Sequence, residues 1–246
     1  MMPDKSPCEA MFSGVIGQDY DTLNLICPLA TQMSRLVGVA ASEYSAQATD
    51  NVTVVELGGG TGITTLSLLT ASDKLNILSI DNEPVMQEQA QKHLYKWVAE
   101  GKLAFCGDDA LTALKNIAPD SVDIVASAYT LHNFLDTYRQ EVMQEIFRIL
   151  KPGGQFINGD RYGLDDISKH TRTIQHEVSG YFKVLTQINK LDVLEHWIVH
   201  LFSDESENHV MRESVELAQL QDAGFSDINL SNRLEVNALV TATKPD

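Results

Sequence analysis

Two rhythms of apolar and polar positions succeed one another along the chain. Short β-branched runs read as strands at Val52–Leu57, Asn76–Ile80, Leu103–Cys106, Val122–Ala126 and Gln155–Asn158. Between them the apolar spacing turns helical over Thr64–Ala71, Glu83–Gly101, Ala110–Ile117 and Thr137–Leu150. Lys151-Pro152-Gly153-Gly154 follows the last of these as a helix stop. Strand–helix alternation of this kind predicts right-handed βαβ units and a parallel sheet. Ahead of it, Asp19–Ala48 reads as helix, with Leu23, Ile26, Leu29, Ala30, Met33, Leu36 and Val37 on one face. Residues 163–212 break the rhythm: they have two-helix character, no obvious strand, and carry Trp197 and His170, His176, His196 and His200. A helix over Glu213–Asp222, capped by Gly224, then precedes two strands, Asp227–Leu230 and Ala238–Ala242, joined by a polar turn as an antiparallel hairpin. The expected division is an N-terminal helical cap (1–50), an α/β core (51–162), a helical lid insertion (163–212) and a helix with hairpin completing the core (213–246).

Composition narrows the class. The 246 residues are 43% hydrophobic and 21% charged, which supports a packed core and excludes a mainly disordered chain. The formal net charge is −16, and no segment is basic overall, so a nucleic-acid partner is not expected. No apolar run approaches the ~18 residues of a membrane span. Cys8, Cys27 and Cys106 are few, odd in number and far apart, which points to a reducing compartment, the cytoplasm by default. A monomer or homodimer is expected.

The chemistry starts at Val54-Val55-Glu56-Leu57-Gly58-Gly59-Gly60-Thr61-Gly62, a strand that ends on an acidic residue and runs through glycines into a helix. Gly58 and Gly60 fit a dinucleotide fingerprint, but its last position is Ile63. No Lys lies between Val52 and Asp73, so the loop is not built to neutralise a polyphosphate. An acidic strand end suits an ammonium group instead. Asp81, ending the second strand, can accept both hydroxyls of a ribose. Asp108 or Asp109 after the third strand can accept from an adenine amine, the other serving as helix N-cap. Ammonium, ribose and adenine without phosphate describe S-adenosylmethionine (SAM).

These residues resemble the class I SAM-dependent methyltransferases. The matching pieces are Glu56–Gly62, Ile80-Asp81-Asn82-Glu83-Pro84, Gly107-Asp108-Asp109-Ala110, Val122–Ser127 and Leu150–Gly154, in order over about 51–162. The resemblance implies a three-layer Rossmann-like sandwich on a mostly parallel seven-stranded sheet with a C-terminal antiparallel hairpin. It implies that SAM is the cofactor and S-adenosylhomocysteine the product. It places Gly58 and Gly60 at the methionine moiety, Asp81 at the ribose with Asn82 beside it as a further cofactor contact, Asp108 or Asp109 with Ala110 at the adenine, and Ser127 to Asn133 at the sulfonium end. Tyr20, in Asp19-Tyr20-Asp21, sits where similar enzymes fold a helix over SAM. A further similarity, through Ile80–Pro84 and the Ser214–Phe225 tail, is to carboxy-SAM synthases, which use a lid Arg for their extra carboxylate. Residues 173–211 contain no Arg. SAM cyclisation to azetidine-2-carboxylate is another non-methylating use of this fold.

The expected reaction is in-line methyl transfer to a small-molecule acceptor. Positioning does most of that work, with a base needed only for a protonated acceptor. Tyr129 is a candidate ring against the sulfonium. His132, after the fourth strand, and Asp160, after the fifth, are candidate bases. Asn133, Arg161, Tyr162, His196, Trp197 and His200 are candidate acceptor contacts. His196 and His200, four apart beside Glu195, could share a metal, but sequence places no third ligand with them, so no metal is expected.

Overall fold

The computed structural model describes Asn24, Leu25 and residues 27–246. Tyr20, Leu23 and Ile26 therefore lie outside the described residues. The described part of the N-terminal helix is α1 (Pro28–Gln47), whose first turn carries Pro28, a residue with no N–H to leave unsatisfied there. Ala30, Met33 and Val37 of its predicted apolar face are buried.

The alternating region follows as β1 (Val52–Leu57), α2 (Ile63–Ala71), β2 (Leu75–Ile80), α3 (Pro84–His93), α4 (Tyr95–Ala99), β3 (Leu103–Cys106), α5 (Ala110–Lys115), β4 (Val122–Ala128), a 3-10 turn (Leu131–Asn133), α6 (Asp136–Ile149) and β5 (Leu150–Arg161). Two helices, α7 (Ile167–Gln187) and α8 (Leu191–Asp204), precede α9 (Glu213–Asp222), β6 (Ser226–Leu234) and β7 (Asn237–Thr243). The seven strands form one sheet in the order β3-β2-β1-β4-β5-β7-β6. Its first five strands pair parallel, while β7 runs antiparallel to both β5 and β6. Strand order reverses between β1 and β4, and a crevice opens at such a switch point beyond the carboxyl ends of the strands.

Two cores flank the sheet. One packs Val37 and Ala41 of α1 and Leu66, Leu68 and Leu69 of α2 against Val54, Ile77 and Ile124. The other packs Val142, Ile146 and Ile149 of α6 and Leu220 of α9 against Val55, Val125, Phe156 and Val240. Each such fully buried side chain contributes ~1.5–3 kcal/mol. The helices α7 and α8 hold a separate cluster of Tyr181, Leu185, Leu194 and Leu201, with Trp197 packed on it.

Two elements depart from the sequence reading. The helix expected over Glu83–Gly101 breaks at Leu94 (φ −107°, ψ 17°), which is fully buried. Leaving helical geometry there lets Leu94 pack under the glycine loop, where a Cβ on Gly62 would lie 2.8 Å from its Cδ1. The strand expected at Gln155–Asn158 extends over twelve residues. The Lys151–Gly154 stop is an irregularity within it: Val122 pairs with Leu150 and Ile124 with Gln155, while Gly153 takes a φ of +74°. Among the described residues, no helix is long and apolar enough to cross a membrane.

Candidate functional site

The glycine loop joins β1 to α2 at the switch point. Gly58, Gly60 and Gly62 have φ of +68°, +53° and +97°, a region that costs other residues strain. A Cβ on Gly58 would meet Thr130 Oγ1 at 2.0 Å, whereas one on Gly60 would meet nothing within 4 Å. The loop thus closes tightly against β4 and leaves Gly60 facing open space. Asp81 braces it from the end of β2: its Oδ2 accepts from the Gly60 N–H (2.7 Å) and its Oδ1 from the Glu83 N–H (2.8 Å). Each carboxylate oxygen keeps a lone pair for a ligand.

A cavity of about 770 Å³ lies over the loop, lined by Gly58, Gly60, Asp81, Asn82, Asp108, Asp109, Ala110 and Tyr138, among others. Asp109 is the N-cap of α5: its Oδ1 accepts from the Thr112 N–H (3.1 Å) and the Tyr138 hydroxyl (2.9 Å). These bonds hold its carboxyl below the usual carboxylate range. Asp108 takes no part in the cap.

A second cavity, about 430 Å³, adjoins the first and shares Gly58, Gly60, Tyr129, Asn133, Trp197 and His200 with it. Its own walls include Cys27, Ser34, His132, Arg161, Tyr181 and Asp204. His132 sits in the 3-10 turn after β4, 4% exposed, with Nδ1 2.5 Å from Asp160 Oδ1. Asp160 is fully buried and also accepts from the backbone N–H groups of Leu131 (3.0 Å) and Arg161 (2.8 Å). Burial alone would raise its carboxyl; His132 and the backbone donors outweigh that and hold it below the usual range.

Tyr129 bends the chain from β4 into this turn with a φ of +52°, and its hydroxyl donates to Asn237 Oδ1. Burial pushes that hydroxyl well above its ordinary pKa. Arg161 is buried and donates to Glu177 (2.7 and 3.2 Å) and Glu205 (2.9 Å), both on the α7–α8 side. Burial opposes its charge, but Glu177 and Glu205 more than restore it, so its pKa lies well above the ordinary value. Glu205 also bonds His170 Nε2 at 2.6 Å and lies below its usual range despite burial.

Comparison with known proteins matches this architecture. Residues 54–154 match the family described as a methyltransferase domain. A carboxy-S-adenosyl-L-methionine synthase of Pseudoalteromonas atlantica is 26% identical over 198 residues, covering 79% of this chain and 75% of its own. An O-methyltransferase family protein of Burkholderia thailandensis superposes with a TM-score of 0.65 at 18% identity, covering 94% of this chain. The S-adenosylmethionine-dependent methyltransferase SibL superposes at 0.63, also at 18% identity and 94% coverage. The present chain spans 60% and 57% of those two structures. The fold is a Rossmann-like α/β sandwich shared with these methyltransferase structures.

Within that fold the sequence-derived residues divide. Gly58, Gly60, Asp81, Asn82, Asp108, Asp109 and Ala110 converge on the larger cavity, and His132 and Arg161 on the smaller; His196 lines the larger, and Tyr129, Asn133, Trp197 and His200 line both. Four residues line neither cavity. Glu56 is fully buried beneath the loop, where Oε2 accepts from Thr65 (2.7 Å) and, among the described residues, Oε1 has no hydrogen-bond partner. Burial raises its carboxyl to about 7. Ser127 is fully buried and donates to the Leu57 carbonyl at 3.3 Å. Tyr162 faces the opposite core, its hydroxyl accepting from Asn158 (2.8 Å). Asp160 lines neither cavity and reaches the site only through His132.

Sequence reasoning missed Asp204, Glu177, Glu205 and Tyr181. Only Asp204 left a signal: it lies one helical turn after His200, on the same face of α8.

Proposed function

We propose that this protein is a SAM-dependent methyltransferase of a small-molecule acceptor. The carrying observation is the pair of adjoining cavities that meet at Gly58, Gly60 and Tyr129, one acidic and the other holding a histidine–carboxylate pair. The chain fits SAM: Gly60 offers the space a side chain would fill, and Asp81 keeps two braced carboxylate oxygens toward the cavity. Gly58 and Gly60 would border the methionine part, Asp81 and Asn82 the ribose, and Asp108 with Ala110 the adenine, Asp109 being committed to its cap. SAM supplies a methyl group already activated on a sulfonium.

The protein's own contribution is placement and proton handling. Trp197 and Asn133 wall the junction of the cavities, where exclusion of water strengthens every polar contact. Asp160 fixes the His132 ring and its tautomer, leaving Nε2 free on the far edge to receive a proton from an acceptor hydroxyl or ammonium. Arg161 lines the acceptor side but is paired with two carboxylates, so it orders α7 and α8 rather than offering a free cation. The acidic surface agrees with a small acceptor rather than a nucleic acid.

A second reading has one observation behind it, the likeness to carboxy-SAM synthases over 79% of the chain. The absence of Arg from 173–211 and the pairing of Arg161 with Glu177 and Glu205 argue against it. One experiment separates the two. The protein is incubated with SAM, alone and with pools of phenols, amines and carboxylates, and the nucleosides are identified by mass. S-adenosylhomocysteine formed only with acceptor supports methyl transfer. Methylthioadenosine without acceptor, or a SAM heavier by a carboxyl group, would replace that reading.

A further inference from the structure

His132, His200 and Asp204 come together on the lid side of the smaller cavity. His132 Nε2 lies 4.0 Å from Asp204 Oδ2, and His200 Nε2 lies 3.6 Å from Asp204 Oδ1. One ligand atom from each residue falls within 4.8 Å of the others. Neither imidazole reaches hydrogen-bond distance of the carboxylate. Asp204 is 7% exposed and accepts no hydrogen bond among the described residues. It lines the cavity between the two rings, a place where a carboxylate favours a bound cation.

We propose that His132, His200 and Asp204 bind a divalent first-row transition-metal ion, with its remaining coordination positions open to the cavity. Two imidazoles and one carboxylate are a donor set for Zn²⁺ or Fe²⁺, and three protein ligands with open positions mark a reactive rather than a structural site. The outer shell is already built. Asp160, anchored by three backbone N–H groups, holds His132 through Nδ1 and aims Nε2 at Asp204. A carboxylate behind the histidine in this way orients it and raises its basicity toward a metal. Metal–ligand bonds of ~2.0–2.2 Å require the three donors to close by about 1 Å. The half-exposed His200 side chain, on the last turns of α8, is free to supply that movement.

The metal-binding claim is independent of the cofactor. Its functional corollary rests on the methyltransferase reading: with the ion bound, His132 Nε2 is a ligand and no longer takes the proton, and the ion would instead hold the acceptor oxygen and favour its deprotonated form.

The test is a titration of the chelator-stripped, desalted chain with ZnCl₂ against a fluorescent chelator, and with CoCl₂ followed by visible absorption. One equivalent per chain is expected, with a Co²⁺ ligand-field band. His200→Ala and Asp204→Asn should each weaken Zn²⁺ at least ~10–100-fold and abolish the band. His176→Ala, a histidine outside the cluster, should change neither. Circular dichroism and S-adenosylhomocysteine titration of every variant report folding; if Asp204→Asn does not fold, His200→Ala, which removes a half-exposed ring, decides. Wild-type protein that takes up no equivalent of either metal, or variants that hold it as tightly, would overturn the proposal. S-adenosylhomocysteine binding without metal binding defeats this site alone; metal binding without S-adenosylhomocysteine defeats the cofactor reading alone.

Discussion

Asp81 and Glu56 end neighbouring strands, yet their environments assign them opposite work. Asp81 has both oxygens braced by backbone donors and open to the cavity. A charge-assisted bond from such a group is worth ~1.5–3 kcal/mol, so Asp81→Ala should weaken S-adenosylhomocysteine about 10–150-fold by calorimetry. Unchanged affinity would place the ribose elsewhere. Glu56 is sealed beneath the loop, its carboxyl raised from 4.5 to about 7. Below pH 4.5 it is protonated whether the chain is folded or not, and folding keeps the full benefit of the neutral group. Between 4.5 and 7 the unfolded chain ionises first, and stability falls as pH rises. Above 7 the loss is complete, at most about 3 kcal/mol. Glu56→Gln should therefore raise the melting temperature at pH 8 and lose that advantage as pH falls toward 4.5; a gain independent of pH would contradict the raised carboxyl. His132 gives the third residue-scale expectation. In metal-free protein, where Nε2 is open to a proton, removing a positioned base costs ~10²–10⁴ in rate, so His132→Ala should lower kcat by that factor with an acceptor that must lose a proton. It should cost far less with one that is already ionised.

At the scale of elements, Arg161 ties α7 and the end of α8 to the sheet through Glu177 and Glu205. Removing one member of a buried ion pair leaves uncompensated charge and costs about 3–5 kcal/mol. Arg161→Met should lower the urea midpoint accordingly with an unchanged slope. A shift below 1 kcal/mol would mean that water already solvates these carboxylates. The strands and the glycine loop were legible because alternation and glycine spacing are local signals. The place of Asp81 at the cavity was legible for the same reason. The burial of Glu56 was not, because the sequence shows that an acid ends β1 but not how deeply the fold encloses it. The Arg161 pairs and the meeting of His132 with Asp204 were illegible: each joins an element of the sheet to the later helices, and no periodicity encodes that docking. Asp109 shows the intermediate case, where sequence offered two neighbours for the N-cap of α5 and the structure gives that cap to Asp109.

For the molecule as a whole, ligand binding should register as stability. At 100 times its Kd, a ligand that binds only the folded chain adds about 2.7 kcal/mol. For a chain of this size that is roughly 5–10 °C in melting temperature. S-adenosylhomocysteine should produce that shift and ATP should not, since the loop carries no phosphate-neutralising Lys. The sheet itself has a consequence for biosynthesis. Strand β7 pairs with β5 along seven residues and separates it from β6, although β6 is made first. Until residues 237–243 emerge from the ribosome, β5 keeps an unpaired edge and Tyr129 lacks Asn237, the acceptor for its hydroxyl. The wall of the cleft that holds Tyr129 is thus completed after β6, from a strand distant in the chain. A nascent chain stalled before Asn237 would present an open β5 edge, the surface on which sheet proteins aggregate and which a chaperone would cover.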